Sequence, residues 1–234
     1  MAPEMFQPEP EDFEWAFDLI SDDPAARKAA EAIQREQFWE AQQALDRLYE
    51  AWDRTIQNSV RVPSDDLAYQ QAQDAACQAA PRLFSRIVGR FFEDPIGPDA
   101  EEFIPYAVLF LQWENQHPDS WYNLQIRTPW ATKEGVLQYF SLYGVPENLR
   151  ETIGDLIFDA LARPYRCGDW AYTSVARQVD TREFYDRLVN LIETSPCPDE
   201  AAKARFVRWA IDDRFSAVTS KTWTKWHARY ERCR

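Results

Sequence analysis

From Ala25 to Asn58 the chain runs for 34 residues without a glycine or a proline. Asp22 and Asp23 stand before Pro24 and supply side-chain caps and a first-turn proline. Apolar residues at Ala30, Ile33, Phe38, Ala41, Leu45, Leu48, Trp52 and Ile56 are spaced mostly by threes and fours, which predicts one buried stripe on a long helix. Its other faces are rich in Gln and charge, with Glu31, Glu36 and Glu40 among the acidic residues.

The rest of the chain extends this pattern. Only six glycines occur in 234 residues, and the 15 prolines mostly stand where helices would begin or stop. Helices are expected over 11–20, 65–80, 82–93, 99–117, 120–127, 129–143, 146–162, 169–178, 181–194, 199–217 and 221–232. Ser64 is read as a cap, Gly144 as a helix C-terminus, Thr128 as a start before Pro129, and Asp180 with Glu183 as a capping box. Only Val60-Arg61-Val62 hints at a strand. The expected fold is all-α: about nine or ten helices in a compact bundle, or stacked helical hairpins, with no significant sheet. An offset of 35 residues brings Leu149, Ile153, Leu156 and Ile157 onto Phe184, Leu188, Leu191 and Ile192, the spacing of paired-helix repeats. Residues 1–10 read as a flexible tail and 11–234 as a single helical domain, with Asp94 to Pro98 as the candidate lobe boundary.

Charge narrows the function. Asp and Glu number 39 against 26 Lys and Arg, a net charge of -13. The acidic excess lies before residue 130, and residues 199–234 reverse it with nine bases against five acids. Such a field disfavours nonspecific nucleic-acid binding and favours a protein partner with a basic surface. Arg outnumbers Lys 21 to 5, and with ten Trp and ten Tyr this is the composition of interface hot spots. No membrane span and no secretory signal is visible, so a cytoplasmic location is the expectation. Cys77, Cys167, Cys197 and Cys233 form no Cys-x-x-Cys pair and read as reduced thiols.

Glu114-Asn115-Gln116-His117 has the Glu-x-x-His spacing of helical di-iron sites, but the second histidine, His227, has Thr224 at the matching position, so the set is incomplete and no metal or cofactor is expected. Gly-x-Ser-x-Gly, Gly-x-Gly-x-x-Gly and Walker patterns are absent. Asp18-Leu-Ile-Ser-Asp22 and Asp155-Leu-Ile-Phe-Asp159 place carboxylates four apart, where two on one helix face suit Mg²⁺ ions holding a prenyl diphosphate. Phe13, Phe17 and Ile20 stand at i, i+4 and i+7 on an acidic background, as in a helix docked in a partner's groove, whereas Trp15 and Leu19 on the opposite side favour a helix buried in the chain's own fold. Lys221, Lys225, Arg229 and Arg232 surround Trp223, Trp226 and Tyr230, which suits an anionic partner or, by its periodicity, a core stripe with outward cations.

The expected function is a noncatalytic protein-binding module whose acidic helical surface engages, and in one version neutralises, a basic protein. Its rivals are a Mg²⁺-dependent helical enzyme built on Asp18, Asp22, Asp155 and Asp159, and an oligomeric structural subunit assembled through the long helix.

Overall fold

The computed structural model describes residues 9–57, 66–93, 100–124 and 129–232. Among them the chain forms a 3-10 helix, Pro10–Ile20, and eleven α-helices, with two further 3-10 turns and no strand. The all-α fold class is therefore as the sequence predicts. No described helix is long and apolar enough to cross a membrane. The chain divides into two compact units, residues 1–129 and 130–234. Their compositions differ: 24 acids against 10 bases in the first, 15 against 16 in the second.

The first unit contains the 3-10 helix, α1 (Pro24–Gln57), α2 (Leu67–Ala79), α3 (Phe84–Glu93), α4 (Ala100–Gln116) and α5 (Pro118–Asn123). The helix α1 begins where Asp23 accepts the backbone N–H of Ala25 at 2.9 Å, so Asp23 rather than Asp22 is the cap. The expected cap Ser64 and the strand hint at 60–62 lie outside the described residues. Asp66 starts α2 instead, accepting the N–H groups of Ala68 and Tyr69. Those two donors, Tyr69 first, hold its carboxyl below the usual carboxylate range. Thr55 donates to Asp66 and to the Ala51 carbonyl, tying the end of α1 to the start of α2.

The 3-10 helix has a different period from the one expected. At three residues per turn the inward face is i, i+3, i+6, and Phe13, Ala16 and Leu19 are buried. The spacing of Phe13, Phe17 and Ile20 assumed an α-helix. Phe17 is instead exposed and packs its ring 5.1 Å from Tyr106, whose hydroxyl donates to the Pro10 carbonyl. This segment packs on α1, α3 and α4. The core beside it holds Phe84, Ile87, Phe91, Phe110, Trp113 and Trp121. The helices α3 and α4 pack against each other, and the turn between them lies outside the described residues.

The second unit is built from α6 (Pro129–Tyr143), α7 (Arg150–Ala162), α8 (Trp170–Ala176), α9 (Arg182–Thr194), α10 (Pro198–Asp212) and α11 (Ser220–Arg232). Gly144 ends α6 at φ +94°, its N–H on the Phe140 carbonyl, as its sequence position implies. The pairs α7 on α8 and α9 on α10 pack as consecutive helices, α10 also touching α8, α7 and α11. The helix α10 stops at Asp212, five residues before the expected end. There Arg177 donates to the carbonyls of Ala210, Asp213 and Ser216, and Asp213 receives the hydroxyl and N–H of Ser216. These bonds satisfy the helix-end carbonyls without further turns.

Candidate functional site

The long helix α1 buries small residues and exposes large ones. Its inward face is Ala30, Gln34, Ala41, Ala44, Ala51 and Thr55, which allows close approach of the alanine-rich α2. Of the expected stripe, Ala30 and Ala41 are buried and Phe38, Leu45 and Leu48 are half-buried. Ile33, Trp52 and Ile56 are exposed, as are Trp39 and Tyr49. The expected stripe is corrected on this point: alanines take the inward positions, Ile33, Trp39, Tyr49 and Ile56 turn outward, and Trp52, though exposed, packs its ring 5.8 Å from that of Tyr69 on α2.

The outward residues form a continuous face. Trp39, Asp46, Tyr49, Glu50, Asp53 and Ile56 fall within roughly 120° of the helix circumference at about 100° per residue, over about 26 Å of its length. Trp39, Tyr49 and Ile56 are 54%, 65% and 58% exposed. Between residues 39 and 56 the bases are Arg47 and Arg54, and both project to one side of this face, Arg54 turning its Nε to the Glu50 carbonyl at 3.2 Å. Gln42 donates to Asp46 and orients its carboxylate. The result, among the described residues of α1, is three carboxylates and three bulky apolar groups on one face, with Arg47 and Arg54 at its edge.

Glu36 and Glu40 are exposed on a neighbouring face, Glu40 lying 3.9 Å from Arg82. Glu31 is half-buried about 140° away from Glu36. Its charge acts on His117, although burial first and then Arg27 hold that imidazole below its ordinary pKa. Phe13 is a core residue; Phe17 remains accessible and Ile20 is half-buried.

Asp18 is on the 3-10 helix and Asp22 lies beyond its end, where Ser21 is extended, so the two do not share one α-helical face. Asp155 and Asp159 are on α7, both exposed, with Asp155 bound to Arg187 at 2.6 Å. Among the described residues no group of three or more His, Cys, Asp or Glu side chains is placed to hold a metal ion. Glu114 is buried and His117 sits between α4 and α5. Trp223 and Trp226 pack on Phe206, while Lys221, Lys225 and Arg229 are exposed. The side chains of Tyr230 and Arg232 and the whole of Cys233 fall outside the described set. Cys77, Cys167 and Cys197 are free thiols.

The second unit contains a buried ionic cluster that no motif announces. Asp169 Oδ1 accepts Lys133 Nζ at 2.6 Å and Arg163 at 2.9 Å, and its Oδ2 accepts the Arg166 N–H at 2.7 Å. The Lys133 side chain is fully buried, 5.5 Å from the Trp130 ring and 5.3 Å from that of Tyr172. Gly168, at φ +80°, allows the turn; a Cβ there would sit 3.1 Å from Glu134 Cγ. The cluster fixes the 163–169 loop, which carries Tyr165. Burial, and then the Asp169 charge, push the Tyr165 hydroxyl up to about 12, so it stays protonated.

Fold and site define an all-α protein of two compact units, with an acidic and aromatic helix face on the first. No family model matches this chain, and no curated protein or solved structure is significantly similar to it.

Proposed function

We propose that the protein is a noncatalytic binding module whose α1 face, from Trp39 to Ile56, takes a basic segment of a partner protein. The observation that carries the proposal is the inversion on α1, alanines inward and Trp39, Tyr49 and Ile56 outward. A helix that only needed to fold would bury its largest apolar groups. Exposed aromatics between carboxylates have the makeup of an interface, with aromatic anchors and charge for steering. The complementary partner is cationic, with apolar side chains between its bases, and the first unit's 24 acids against 10 bases extend the attraction beyond the contact face. Sequestering such a partner requires no catalytic group.

The test compares proteins captured from the native cell by the wild-type chain, by Trp39→Ala/Tyr49→Ala, and by Asp46→Lys/Glu50→Lys/Asp53→Lys. A basic protein enriched by the wild type and lost with both variants, their circular dichroism unchanged, supports the reading. Identical captured sets from all three chains refute it.

A further inference from the structure

A cleft of about 420 Å³ opens in the second unit, lined by Tyr165, Asp199, Lys203, Trp223, Thr224 and His227. Its size is that of a small-molecule site. One wall is aromatic: the Tyr165 and Trp223 rings lie within 9° of parallel at 5.8 Å between centroids, and His227 is 5.3 Å from Trp223. That wall is held from behind. Phe206 meets Trp223 edge-on at 5.0 Å, Trp226 stacks on it at 6.2 Å, and the loop bearing Tyr165 is pinned by the Asp169 cluster. Tyr165 is nevertheless 44% exposed, so its ring offers surface to the cleft.

The polar groups limit what fits. The Lys203 ammonium is buried and its donors are committed to the Leu161 carbonyl, the Arg163 carbonyl and Asp199 Oδ2, at 3.3, 2.6 and 2.8 Å. It neutralises Asp199 and has no proton left for an anionic ligand. Asp199 is half-exposed, and its Oδ1 lies 3.5 Å from His227 Nε2. A carboxylate can accept more bonds than these, so the site offers flat π surface beside an acceptor. The two opposite charges lining it, Asp199 and Lys203, are paired with each other and balance. Neither a carboxylate nor a strong cation is favoured there.

We propose that this cleft binds an uncharged, planar nitrogen heteroaromatic ring, stacked on Tyr165 and Trp223 and donating a ring or exocyclic N–H to Asp199. The site lies within the second unit and is independent of the α1 face.

Protein labelled with 5-fluorotryptophan gives one ¹⁹F signal per indole, and the Trp223 signal is assigned with Trp223→Phe. Titration with adenine, which carries such donors and is uncharged at pH 7.5, is expected to shift that signal saturably, with benzoate and benzamidine binding at least about tenfold more weakly. Asp199→Asn keeps an acceptor for Lys203 and is expected to weaken adenine about ten- to a hundredfold, the cost of losing a charged hydrogen bond. Tyr165→Leu, a change at an exposed position, is expected to weaken it by about tenfold through lost stacking. The absence of a saturable shift overturns the proposal. So does equal affinity for the two charged probes, or an Asp199→Asn protein that binds adenine as the wild type does.

Discussion

Two ion pairs in the second unit have the same length and differ in burial, which isolates the effect of solvent. Lys133 to Asp169 is 2.6 Å with side chains 0% and 5% exposed; Arg187 to Asp155 is 2.6 Å with both half-exposed. Replacing Asp169 with Asn removes the carboxylate charge that the buried Lys133 ammonium and the largely buried Arg163 share. Breaking a buried pair in this way costs about 3 to 5 kcal/mol. Asp155→Asn removes a pair that water and salt already screen, at a cost of about 0 to 1 kcal/mol. With a urea m-value of about 1 to 3 kcal/mol/M, the first change lowers the unfolding midpoint by on the order of 1 to 5 M and the second by no more than about 1 M. Urea titrations followed by peptide-resolved hydrogen exchange over α6 and α8 report this unit directly. Lys133→Met with Asp169→Asn removes the buried ammonium along with its carboxylate partner, so the double variant is expected to be more stable than Asp169→Asn alone, with a coupling of about 1 to 3 kcal/mol. Equal losses for Asp169→Asn and Asp155→Asn, or additive losses in the double variant, would refute the assignment of the cluster as the anchor of the 163–169 loop.

Further outcomes follow from other positions. Gly168→Ala forces a Cβ to φ +80° and to 3.1 Å from Glu134 Cγ, and is expected to cost about 1 to 2 kcal/mol in the same assay. His117 is held below its ordinary value by burial and then by Arg27, so the folded state favours the neutral ring. Its contribution is complete above the unfolded value of 6.5 and is lost as pH falls through that value toward the folded one. The stability difference between the wild type and His117→Gln should therefore shrink from pH 7.5 to 5, as read by urea unfolding of the first unit, and a constant difference would contradict the shift. Trp39→Ala/Tyr49→Ala should change first-unit stability by no more than about 0.5 kcal/mol per residue, since both rings are exposed; a loss of several kcal/mol would place them in the core instead.

Sequence spacing revealed the helices well because their boundaries are chemical: Pro24, Pro118, Pro129 and Pro198 open them, and Gly144 closes α6. Which face of each helix turns inward was less legible. Hydrophobicity ranks Trp52 and Ile56 above Ala51 and Thr55 as core residues, but the distance of approach to α2 decides, and that distance belongs to the pair of helices. The first helix differs from its spacing for a related reason: Phe13, Ala16 and Leu19 follow a three-residue period, whereas the stripe of Phe13, Phe17 and Ile20 takes the α-helical one. The Lys133 to Asp169 pair spans 36 residues with no local motif and became visible only when α6 and the start of α8 were brought together. Trp39, Tyr49 and Asp53 carried no signal either, since an outward aromatic is recognised only once the inward face is known.

Occupation of the outward face of α1 by a basic protein, as proposed, is tested directly by one measurement. A photo-crosslinking phenylalanine analogue is placed at Tyr49 and, in a second protein, at Tyr143 on the second unit, which is also exposed. After irradiation in the native cell, the Tyr49 position is expected to give a discrete adduct with a protein rich in Lys and Arg, weakened in cells loaded with raised salt, and the Tyr143 position to give none. No adduct from position 49, or an adduct with an acidic protein, would contradict the account.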